Sequence, residues 1–176
     1  MPQLSSEVQA ALIGVIVTFL LIEVVGGRLR TRGARKSLAG ALYAEMTALW
    51  ERYEEVMGQH LRALKPGEPF RLIPDRWIEN QNFFAVFDGN TGNLGLFKPH
   101  EAQQIVRAYT LGKAHVETVN TAGRYTQYLI AAGAPNQLDK HLVEVGKILK
   151  SEYERLAKAF EKSIVILARH AGIKRR

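Results

Sequence analysis

Cysteine is absent from all 176 residues. That excludes a disulfide scaffold, a thiolate zinc or iron–sulfur site and a thiol nucleophile. Serine is scarce at five, and none sits in a G-x-S-x-G elbow. No phosphate-binding G-x-x-x-x-G-K-[ST] loop occurs, because Gly112-Lys113 and Gly146-Lys147 lack the upstream glycine. Gly89, Gly92 and Gly95 are spaced by three, which is not the dinucleotide fingerprint. The five histidines, His60, His100, His115, His141 and His170, form no i,i+4 pair, and no Glu-x-x-His segment is present. A calcium loop opening at Asp88 would put Gly92, Asn93 and Pro99 where an oxygen ligand, a glycine and a glutamate are needed. No catalytic residue, cofactor or metal is therefore expected.

Positive charge is missing from the first 27 residues, which carry only Glu7 and Glu23. All 24 Lys and Arg and the other 15 acids follow, leaving +9 on the remainder. What stands in that charge-poor stretch is an apolar run, Val8 to Val25, in which twelve of eighteen residues are Leu, Ile, Val or Phe. At 1.5 Å rise per residue it covers about 27 Å, close to a hydrocarbon core of about 30 Å. Those twelve side chains favour insertion by about 4 to 7 kcal/mol, and Glu23, near the interface, opposes by at most about 3 kcal/mol. The acidic start and the absence of a small-residue cleavage site argue against a signal peptide. The run is expected to be a transmembrane helix. It contains no histidine, so it offers no imidazole to a haem or pigment.

Arg28, Arg30, Arg32, Arg35 and Lys36 follow directly, five bases in nine residues. By the positive-inside rule this flank faces the cytoplasm, with the N-terminus outside, and its charges suit anionic lipid headgroups. The organisation expected is an anchor over 1–27, a basic juxtamembrane segment over 28–36, and a helical cytoplasmic domain over 37–176 at a bacterial inner membrane.

In that domain, Leu38, Leu42, Glu45, Leu49, Tyr53, Val56 and His60 recur at steps of four and three. This predicts a helix over 34–64, stopped by Lys65-Pro66-Gly67. Three prolines make the following stretch irregular, with Phe70, Ile73 and Trp77 packing back. Residues 65–98 form the irregular connection, in which two apolar runs around Asp88–Asn93 predict a tight hairpin or a capped helical turn. Pro99 opens a second long helix with Ile105, Tyr109, Val116 and Val119 on one face. Gly133-Ala134-Pro135 ends it, and Asn136 can cap a third. There Leu138, Leu142, Val145, Leu149, Glu152, Leu156, Phe160, Ser163 and Leu167 keep the seam until Gly172. The predicted fold is all-α: one transmembrane helix carrying a three-helix antiparallel bundle. A strict up–down–up course would return the apolar Tyr128–Pro135 turn to the membrane side.

Phe84-x-Val86-Phe87-Asp88-x-Asn90-x-x-x-Leu94-Gly95-x-Phe97, with Ile105-Val106-x-x-Tyr109 after it and Ala44-Glu45 before it, resembles a pattern in small uncharacterised bacterial membrane-anchored proteins. The resemblance implies localisation and architecture, with no activity to carry over. Asn90 suits a turn or cap, and Gly95 a positive φ or close packing. Candidate interface residues are Glu23 and Glu45, which interrupt apolar faces, together with Phe87, Asn90, Leu94 and Gly95.

The function expected is a non-enzymatic adaptor or accessory subunit of a membrane complex. Its partners would be the bilayer and other membrane subunits, with self-association open. The alternative is a small membrane-anchored stress or phage-defence effector touching nucleic acid, although no aromatic–basic motif supports such contact. An enzyme would have to draw on Glu45, Asp88 and His115.

Overall fold

The computed structural model describes residues 6–71 and 83–174, with side chains from residue 27 onward. The chain is all-helical, with no strand among the described residues. Helix α1 spans Ser6–Tyr53, about 72 Å at 1.5 Å per residue. It contains no proline and runs unbroken through the basic flank into the bundle. A π-turn, Glu54–Gly58, continues it into α2, Gln59–Ala63. Leu64 then turns extended and Gly67 takes φ +80°, so Lys65-Pro66-Gly67 stops the helix as expected.

Among the described residues no helix is long and apolar enough to cross a membrane. The side chains of Val8–Val25, including Glu23, lie outside the described residues, as do Ile73 and Trp77. Phe70 is described: its ring is buried and its N–H donates to the Leu142 carbonyl at 3.1 Å.

The capped helical turn, not the hairpin, occupies 83–98. Helix α3 spans Ala85–Gly89 and a 3-10 helix spans Thr91–Leu96. Helix α4, Pro99–Ala131, starts on proline, where a missing N–H costs nothing. Glu101 reaches back to the Lys98 N–H at 3.2 Å. Helix α5, Pro135–Ala171, begins one residue before the expected cap, so Asn136 lies inside it. It ends on Gly172 at φ +76°, with the Ile173 N–H donating to the Ala168 carbonyl at 2.9 Å.

Helix α5 runs antiparallel to both α1 and α4. Its C-terminal end meets the start of the bundle, where a Cβ built on Gly172 would lie 3.8 Å from Lys36 Cε. Its N-terminal half meets the far end, where Gly146 packs on Leu64 and Phe70. Along α4, Glu101 pairs with His170 and the Ala122 carbonyl faces His141. Helices α1 and α4 are therefore parallel, which corrects the up–down–up course. The connection after α2 brings the chain back to the flank end before α4 begins. The Tyr128–Pro135 turn consequently lies at the end of the bundle opposite the flank.

The core lies along α5. Leu38, Leu42, Met46, Ile105 and Leu167 fill the end nearest the flank, and Met57, Leu61, Val119 and Leu149 the other. Fully buried side chains such as Leu42 and Met46 contribute about 1.5 to 3 kcal/mol each. The expected seam fails at one place. His60 is exposed and Met57 and Leu61 are buried instead of Val56 and His60. The π-turn inserts one residue, so the inward face moves on by one position beyond Tyr53.

Candidate functional site

The basic flank lies on the exposed surface of α1: Arg28, Arg30, Arg32 and Lys36 are exposed and Arg35 is half-buried. The packing of Gly172 beside Lys36 adds exposed Lys174 to the same end of the molecule.

Glu45 is consumed internally. It accepts from the Val86 N–H at 2.6 Å and the Phe87 N–H at 3.2 Å, satisfying two donors that open α3. Phe87 is buried and stacks on Tyr109 with ring centroids 4.0 Å apart. The Tyr109 hydroxyl donates to the Leu42 carbonyl at 3.4 Å, and burial, then the charge of Glu45, pushes its pKa up. Asn90 donates to the Val86 carbonyl at 2.8 Å and Leu94 is buried. Gly95 departs from expectation. It is exposed, has no positive φ, and a Cβ there would meet nothing within 4 Å. The Phe–Asn–Leu segment is thus one packing unit tied to α1 by Glu45.

Glu45, Asp88 and His115 are held by separate partners. Asp88 pairs with Lys113 at 2.5 Å, whereas His115 belongs to a polar relay that the sequence left unnoticed. In that relay Tyr53 on α1 donates to His115 Nε2 at 2.7 Å, and His115 Nδ1–H donates to Glu152 on α5 at 2.8 Å. Thr118 donates to the other oxygen of Glu152 at 3.1 Å. Burial pushes the His115 pKa down, and the opposing pull of Glu152 does not reverse it. Burial also raises the Tyr53 phenol far above its ordinary range, with Tyr153, Glu54 and Glu152 adding to the effect. Both groups are uncharged at neutral pH.

A second network touches the first. Tyr153, whose ring lies 6.1 Å from that of Tyr53, donates to Glu54 at 2.7 Å and accepts from Arg62, which also pairs with Glu54. Both networks meet at the π-turn, whose first residue is Glu54. The one signal in the sequence was Glu152, the only charged residue on the seam of α5. Nothing local says that its partner is His115.

The relay borders a cleft of about 300 Å³ between α1, α4 and α5. Trp50, Phe84 and Phe160 supply aromatic walls, Leu49, Val116 and Leu156 aliphatic ones, and Arg52 stands at the rim. Arg52 is paired with Glu55 at 2.9 Å. No group of His, Asp and Glu suited to a metal ion occurs among the described residues. Chemically the site offers a predominantly apolar, ring-lined space with a fixed imidazole tautomer at its edge and one paired arginine at its rim. No family model, no curated protein and no solved structure matches the chain.

Proposed function

We propose that this protein is a non-enzymatic, single-pass membrane adaptor or accessory subunit. Val8–Val25 would cross a bacterial inner membrane with the N-terminus outside and the bundle in the cytoplasm. The flank Arg28–Lys36 would hold anionic headgroups, and the bundle would dock on another subunit.

The observation that supports this reading is the continuity of α1. An eighteen-residue apolar run, a basic flank and the first bundle helix belong to one helix of 48 residues, with no linker between them. A helix transmits position and rotation along its axis, which suits a rigid mount better than a tethered domain does.

The test is extraction of native membranes at alkaline pH, followed by mild-detergent purification of the tagged chain with sizing and mass spectrometry. Retention in the membrane pellet and stoichiometric recovery with a larger assembly are expected. Release by alkali would remove the anchor. Recovery of the chain alone would remove the accessory role and favour the effector alternative.

A further inference from the structure

The anchoring and docking proposed above make no use of the cleft beside the Tyr53–His115–Glu152 relay. A cavity of roughly 150 Å³ in a protein interior already holds benzene. Small-molecule pockets commonly begin near about 300 Å³, with apolar walls and a few placed polar groups. This cleft has that size and that lining. We propose that it binds a small, uncharged, predominantly apolar aromatic molecule of one or two rings.

Three observations converge. The first is Gly112, in the middle of α4. A Cβ there would stand 3.3 Å from the Phe84 ring and 3.5 Å from Phe160. Glycine inside a helix costs about 1 kcal/mol relative to alanine. Here it lets two aromatic walls of the cleft close directly on the helix backbone.

The second is that the one charged side chain on the lining, Arg52, and the polar groups at the edge already have partners. Arg52 at the rim is matched by Glu55, and the polar atoms at the edge are paired along Tyr53, His115 and Glu152. An anionic ligand would have to leave water and compete with Glu55 for Arg52, whereas an apolar one need do neither. Selection is therefore by shape and neutrality. The third is the π-turn that follows Tyr53. Single π-turns cost helix regularity and recur at functional sites. This one directly follows the helix segment that carries Leu49, Trp50 and Tyr53 into the cleft.

The chain has two tryptophans, so Trp77→Phe leaves Trp50, in the wall, as the reporter. The full chain with that substitution, in mild detergent, is titrated with iodobenzene, a neutral contact quencher, and with 4-iodobenzoate, its anionic counterpart. Saturable quenching by iodobenzene is expected, with 4-iodobenzoate weaker by at least about tenfold. Val116→Phe and Leu49→Phe, on different helices, fill the space and are expected to abolish saturation, with helix content checked by circular dichroism. Linear, unsaturable quenching would overturn the proposal. So would equal quenching by the anion, or saturation unchanged in a folded filled variant. Should one variant fail to fold, the other decides, and the comparison of the two probes needs neither.

Discussion

The Tyr53 hydroxyl lies 2.7 Å from His115 Nε2, joining α1 to α4 across 62 residues of chain. Because Glu152 accepts from Nδ1–H, Nε2 carries the lone pair and the phenol must donate. The bond thus sets one tautomer at the point where three helices and the cleft meet.

Removing the donor tests the relay. Tyr53→Phe keeps the ring beside Trp50, 5.8 Å away, but leaves His115 Nε2 buried without this hydrogen bond. A loss of about 1 to 3 kcal/mol in unfolding free energy by chemical denaturation is expected. An unchanged midpoint would mean that water or another donor replaces the phenol at no cost.

The pH dependence follows from two depressed pKa values. His115 in the folded chain sits below its ordinary value, chiefly through burial, so the folded state binds fewer protons than the unfolded one. Its contribution is full above about pH 6.5 and is lost as pH falls below that. Glu101 is buried, which alone would raise its pKa. Hydrogen bonds from His170 and the Lys98 N–H, with the charges of His170 and Arg169, outweigh burial and hold it low. Its contribution is present above the ordinary carboxylate range and is lost below it. The melting temperature should therefore fall in two stages on acidification, and His115→Gln should flatten only the first. A melting temperature that rises as pH drops from 7 to 5.5 would contradict the assignment.

Glu45→Ala removes an acceptor from two α3 amides without touching α3 itself. A cap of this kind contributes about 0.5 to 2 kcal/mol. Hydrogen exchange at Val86 and Phe87 should speed up more than at Ile105, whose amide lies within α4. Uniform acceleration at all three would indicate global destabilisation instead of a lost cap.

Gly146 and Gly95 make opposite predictions for alanine. A Cβ at Gly146 would stand 2.9 Å from Leu64 Cδ2 and from Phe70 Cβ, and the latter is fixed to its own backbone. Gly146→Ala is expected to destabilise by about 1 to 3 kcal/mol, despite better helix propensity. Gly95→Ala meets open space at ordinary φ and should be neutral or stabilising by up to about 1 kcal/mol. Equal melting temperatures for the two variants would rule out the tight contact at Gly146.

Helix ends at proline and glycine were legible because they depend on neighbours within a turn, whereas the start expected at residue 34 was not, since α1 begins at Ser6. Pro66 and Gly67 end the first helix, Pro99 starts α4, and Gly172 closes α5. The seam of α5 was legible too: Leu142, Leu149, Leu156, Phe160 and Leu167 are all buried. Glu45 was visible as an oddity on an apolar face, but its partners lie 41 and 42 residues away. Gly95 was misjudged because glycine inside a motif suggests conformational need, whereas its backbone is ordinary.

By itself the sequence determined an all-helical chain, an apolar run followed by a basic flank, and the faces along which the helices bury themselves. Those features follow from side-chain periodicity and from the φ and N–H restrictions of glycine and proline, which act over a few residues. Tertiary structure decided the rest. The return of the chain between α2 and α4 makes α1 and α4 parallel and sends the Tyr128–Pro135 turn away from the flank. One extra residue in the π-turn exchanges His60 for Leu61 on the inner face. The meeting of Tyr53, His115 and Glu152 depends on how three helices pack around α5, an arrangement set by burial across the whole bundle and not by any local spacing.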